Sequence, residues 1–160
     1  MPRPPASARS KALVNAPVTS VTYFDNTLAD AMDLAREARN FIVYQDSAEA
    51  AKLDPAARLV VSCEAMRVTA RIGQIVAWLL VQKAVHAGEL TRAQAAEPHY
   101  RLAGQTVCEA SQPLADEKLP ARLGELLERS HGLYTRVARL DAMLDAAAPE
   151  GARLPEGAKT

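Results

Sequence analysis

Aromatic residues are scarce in this chain: one Trp, four Tyr and two Phe among 160 residues. So few rings leave no stacking platform for single-stranded nucleic acid. Charge of one sign is lacking too. Nineteen Lys and Arg balance nineteen Asp and Glu, so the formal net charge is zero, which excludes a bulk polyanion binder. There are two cysteines, Cys63 and Cys108, with no CxxC and no metal-spaced Cys/His pair. No disulfide framework is implied, and the setting expected is a reducing cytosol. No two of His86, His99 and His131 lie three or four apart, so no helical face pairs histidines for a metal. The longest unbroken apolar run is Ile75 to Val81, far short of the roughly 18 residues that mark a membrane helix. Neither a nucleophile elbow, a phosphate loop nor a zinc-protease motif occurs. The expectation is a protein that is not an enzyme and carries no cofactor.

What is present is helix-forming material. Apolar residues make up 49% of the chain, with 32 Ala and 18 Leu among them by count. Both are strong helix formers and poor strand formers. Proline is absent from 18–54, 56–97 and 121–148, and an interior proline costs a helix about 3 kcal/mol. In the first gap Leu28, Ala31, Ala35, Ala38 and Ile42 form a stripe at helical spacing, predicting a helix over about 20–45. Thr27 and Asp30 have the spacing of a capping box, and Asp46 with Glu49 suggests a further helical turn over 47–53.

The second gap gives a helix over 55–87. Asp54 suits the N-cap, Pro55 the first helical position and Gly88 the position after the end. Leu59, Cys63, Met66, Ala70, Gly73, Ala77, Leu80 and Ala84 fall on one heptad seam, read as the core-facing side. In the third gap Leu123, Leu126, Ser130, Leu133, Val137, Leu140 and Leu144 predict a helix over 120–147. Thr91 and Gln94 cap a short helix over 92–97. Residues 99–118 read as an irregular connection, 1–18 as a Pro-rich flexible arm and 148–160 as a flexible tail. The fold class expected is all-α: one domain over 19–147, an antiparallel three-helix bundle with flexible N- and C-terminal tails.

The middle of the second helix is apolar all round, beyond what two partner helices cover. Ile75, Trp78, Leu79, Val81 and Val85 are therefore candidates for a homodimer interface, with Trp78 as anchor. The alternative is that 92–97 and 99–118 fold over this face. On the same helix Glu64, Arg67, Arg71 and Gln74 share one side, with Gln82 beyond them. They read as a solvated stripe or as a partner-binding surface, since Arg binds carboxylates and amides bidentately.

The stretch SCEAMRVTARIGQIVAWLLVQKAVHAGEL, Ser62 to Leu90, resembles the signature helix of the RcdA family (regulator of CtrA degradation). Ser62, Glu64, Met66, Arg67, Thr69, Arg71, Gln74, Ala77, Trp78, Leu79, Leu80, Gln82, Ala84, Gly88 and Glu89 carry the resemblance, and Ala65, Ala70 and Lys83 depart from it. It extends to Tyr23-Phe-Asp-Asn-Thr27 and to Tyr100-Arg-Leu-Ala-Gly-Gln105. The resemblance implies a small, dimeric, cytoplasmic three-helix protein of alphaproteobacteria. Its implied role is adaptor in regulated proteolysis of cell-cycle regulators by the ClpXP protease, bridging a priming response regulator and substrate proteins, with no membrane partner. Two other classes stay open from the residues alone. One is a small-ligand-binding bundle with a pocket beside Trp78. The other is a regulatory nucleic-acid binder using the basic arm 1–24, where Arg3, Arg9 and Lys11 outweigh the acids.

Overall fold

The structure is a computed structural model, and it describes residues 16–44, 52–111 and 119–147. The expected arm, the turn signal at Asp46 and Glu49, and the C-terminal tail lie mostly or wholly outside these residues. No strand occurs among the described residues, and the chain is all-helical. Three long helices, α1 (Ala16–Tyr44), α2 (Pro55–His86) and α5 (Ala121–Ala146), pack against one another. Two one-turn helices, α3 (Arg92–Ala95) and α4 (Gln105–Cys108), and a 3-10 turn at Pro98–Tyr100 lie in the connection before α5.

The ends of α2 are built as its sequence prescribes. The Asp54 carboxylate accepts from the Ala57 amide at 2.8 Å, and Pro55 opens the helix. At the other end Gly88 takes a left-handed φ of 78°. Its amide bonds Val85 O and the Glu89 amide bonds Ala84 O, which makes a complete Schellman motif. Thr91 and Gln94 form the expected capping box. The α1 start differs from expectation. Thr27 sits inside the helix and its hydroxyl donates to Tyr23 O at 2.8 Å, because the helix begins eleven residues earlier, at Ala16. Residues 16–18, expected in the arm, are therefore helical.

The expected all-antiparallel arrangement needs correction. α1 and α2 are antiparallel: Phe24 packs edge-on against Trp78 and His86, and Asp25 pairs with Lys83 at 2.7 Å. α5 runs in the same sense as α2. Arg71 meets Leu127 and Ser130, and Trp78 meets Asp141 further along both helices. A parallel neighbour requires a return path, and residues 87–111 lie along it. They run back along α2, with Ala103 bonded to Gln74 and Cys108 bonded to Arg71. Leu102 and Cys108 are buried in the main core with Val61, Val68, Ile72, Ile75, Leu79, Leu123, Leu126 and Val137. α2 thus has three neighbours, α1, α5 and the crossover, rather than two.

Candidate interaction surface

That third neighbour decides what each face of α2 does. Ile75 and Leu79 are wholly enclosed and Trp78 is 2% exposed. They are core residues of one chain, and the dimer interface predicted from them is withdrawn. Val81 and Val85 stay half-buried at the edge. The alternative reading, intramolecular cover, accounts for this face: the crossover contributes Leu102 and Cys108 to the same core.

The polar set meets the same fate. Glu64 is 0% and Arg71 1% exposed, Arg67 and Gln82 are buried, and Gln74 is half-buried. None of the buried four offers a surface to a partner protein, so the partner-binding assignment is corrected too. Arg71 is instead a clamp. Its Nε donates to Cys108 O at 2.9 Å and Nη2 to Ala110 O at 2.5 Å. Nη1 donates to Leu127 O at 3.0 Å and to Ser130 Oγ at 3.2 Å. One planar, forked donor group therefore ties α2 to the crossover and to α5. Burial pulls the Arg71 pKa below its ordinary value, with the neighbouring Arg67 charge acting the same way. Glu64 Oε2 lies 3.5 Å from Arg67 Nε, which places a carboxylate beside the two cations. Burial also pushes the Cys108 thiol up and raises the Tyr134 phenol to about 12. Both are held in protonated, chemically quiet forms at neutral pH.

Three residues that sequence reasoning did not single out complete the fastening. Tyr134 Oη donates to Ala103 O at 2.9 Å, opposite the Gln74 side chain that accepts from Ala103 N. Asp141 accepts from Trp78 Nε1 at 2.8 Å and from Arg101 through two bonds, 2.9 and 2.8 Å. Arg101 lies within the Tyr100–Gln105 stretch that carried part of the resemblance, which was the one available signal. Tyr134 reads in the sequence only as widening the apolar stripe of α5, with Leu127 and Met143, and Asp141 has no mark there at all.

The seam expected to face the core faces outward. Leu59 is 65%, Met66 71% and Leu80 52% exposed. Ser62, Thr69, Ala70, Gly73 and Ala77 are exposed between them, and Cys63 and Ala84 are half-buried alongside. From Leu59 to Leu80 this stripe is roughly 32 Å long at 1.5 Å per residue, and it contains no charged residue. Its two hydroxyls are used up by its own helix: Ser62 Oγ donates to Arg58 O and Thr69 Oγ1 to Ala65 O. Such a face is apolar in effect as well as in composition, and contiguous apolar surface on a folded protein marks contact with another molecule.

Chemistry of other kinds finds no support here. Among the described residues no group of three His, Cys, Asp or Glu side chains is placed to hold a metal ion. Among them, too, no helix is long and apolar enough to cross a membrane.

A helical bundle with a buried polar clamp and an uncharged outer stripe defines a class of protein that works through its surfaces. The comparisons with known proteins are specific within that class. A family described as a protein of unknown function, DUF1465, matches residues 15–157. The crystal structure of RcdA from Caulobacter crescentus CB15 is similar in sequence and fold, with 33% identity and a TM-score of 0.61, covering 77% of this chain and 91% of that one. The chain belongs to the RcdA family. No curated protein sequence matches it.

Proposed function

We propose that this protein is a non-enzymatic cytoplasmic adaptor in regulated proteolysis. In this reading it brings a priming response regulator and cell-cycle substrates to the ClpXP protease, as a homodimer in its resting form. The observation that carries the reading is the uncharged, exposed stripe of α2. An adaptor needs no reacting groups. It needs a rigid frame and a surface another protein can seat on, and the stripe lies on the helix whose sequence carries the family resemblance. The dimer contact is assigned to Met66, Ala70, Gly73, Ala77 and Leu80, on the side of α2 opposite Trp78. Small residues there let a partner helix approach closely, and Leu59, Met66 and Leu80 supply apolar area at the flanks.

The test is reconstituted degradation. Purified ClpXP, the primed response regulator and a labelled cell-cycle substrate are incubated with ATP, with and without this chain. Faster substrate loss in its presence is expected. Equal rates with the full-length chain at saturating concentration would remove the adaptor reading.

A further inference from the structure

The two long helices joined by the crossover end in opposite ways. α2 closes with Lys83 and His86 in its last turn and the Schellman turn at Gly88. Positive charge there suits the negative end of the helix dipole. α5 has no basic residue in its last turn and no glycine cap. It carries Asp141 and Asp145 in its last two turns instead, two carboxylates at the end where the dipole disfavours them. Met143 and Leu144 are exposed, so little apolar burial holds the last turn down. Two side chains from other elements oppose this: Trp78 donates to Asp141 at 2.8 Å, and Arg101 alone of the two reaches on to Asp145. Arg101 bonds Asp141 twice and reaches Asp145 Oδ1 at 2.6 Å. The hydrogen bonds to Asp141 hold its guanidinium above its ordinary pKa.

We propose that Arg101 is a latch controlling the last turns of α5, a positioning residue that acts on helix length. Engaged, α5 runs to Ala146. Released, residues 142–146 unwind while Asp141 keeps its bond from Trp78, and a segment of about 7.5 Å as helix becomes one of up to about 17 Å extended. Any ligand that engages Arg101 competes with the latch, which couples the end of α5 to what binds the crossover. The inference stands apart from the adaptor reading, because its test uses the free protein and no protease.

The experiment is amide hydrogen exchange on the full-length chain. In Arg101→Gln the amides of 142–147 are expected to exchange at least tenfold faster, while those of 126–137 and of Gly88 and Glu89 keep their rates. Adding Asp145→Lys to Arg101→Gln is expected to restore most of the protection, since a lysine at this end favours the helix without any latch. Two results would overturn the proposal: unchanged rates at 142–147 in Arg101→Gln, or a loss that the second substitution fails to recover. Should Arg101→Gln not fold, Arg101→Lys takes its place. A single ammonium cannot fork across both carboxylates, so about threefold faster exchange at 142–147 is expected, and no change there sinks the latch.

Discussion

The inner and outer faces of α2 both depart from the usual distribution of residues. Inside, Glu64, Arg67, Arg71 and Gln82 lie among Val61, Val68, Ile72, Ile75, Trp78 and Leu79; outside lie Leu59, Met66, Ala70, Gly73, Ala77 and Leu80. The most deeply tied of the inner polar groups is Arg71. Arg71 spends its donors on three backbone carbonyls and one hydroxyl, and buried polar groups cost little only when so satisfied. The outer apolar groups have no partner within the described chain. The difference separates two sides of one helix: the Arg71 side ties this chain together, and the apolar side is the one we propose for a second molecule.

Breaking the inner side should have the largest effect. Arg71→Met leaves the carbonyls of Cys108, Ala110 and Leu127 without this donor, at about 1–3 kcal/mol for each group left unsatisfied. Water reaching the loosened crossover offsets part of that. A net loss of about 3–5 kcal/mol in urea unfolding is expected. Trp78→Phe is next. It keeps a ring in place but removes one of the two donors to Asp141 Oδ1, which Arg101 Nε still reaches at 2.9 Å, and about 1–2 kcal/mol should be lost from the hydrogen bond and the smaller ring together without change in the oligomeric state of the folded fraction. A weakened dimer at full foldedness would return Trp78 to the interface.

On the outer side Leu80→Asp should leave unfolding free energy within about 0.5 kcal/mol. Self-association measured by sedimentation should weaken at least tenfold, about 1.4 kcal/mol. A variant that dimerises as before would move the contact off this stripe. The smallest effect belongs to Glu37, a half-buried residue on α1 whose carboxylate accepts from Arg129 at 2.6 and 3.0 Å. Those bonds hold it below its ordinary value of 4.5. A depressed carboxylate stabilises the fold above the unfolded-state pKa, and the contribution drains away as pH falls through the folded-state value. Glu37→Gln should cost about 0.2–1 kcal/mol at neutral pH and flatten the acid limb of the stability curve by the same amount.

The elements themselves were legible. Asp54, Pro55, Gly88 and the Thr91–Gln94 box marked real helix ends, because caps are local chemistry. The α5 seam was legible as far as Val137, with Leu123, Leu126, Ser130, Leu133 and Val137 all buried; beyond it Leu140 is half-buried and Leu144 exposed. The facing of α2 was not. Two stripes at helical spacing compete on that helix, and counting apolar positions chose the wrong one. Side-chain volume would have chosen correctly. The buried positions 61, 68, 72, 75 and 79 hold Val, Val, Ile, Ile and Leu, whereas 63, 70, 73 and 77 hold Cys, Ala, Gly and Ala. The polar clamp was beyond reach for another reason. Arg71 bonds groups 37 to 59 positions away, most of them backbone carbonyls, which every residue has. The Arg101–Asp141–Trp78 link spans 40 and 63 positions and has no local signature.

The parallel pairing of α2 with α5 also sets the order of assembly. Ten residues separate α1 from α2, while 34 separate α2 from α5. Closing the longer loop costs about 1 kcal/mol more in chain entropy, and the contacts that reward it are the last to be synthesised. The antiparallel α1–α2 pair is therefore the natural first structure, and α5 docks onto it late. Until then the side of α2 awaiting α5 presents Glu64, Arg67 and Arg71 to water. A half-built chain would keep those charges hydrated on the flank where an all-leucine core would be most prone to aggregate.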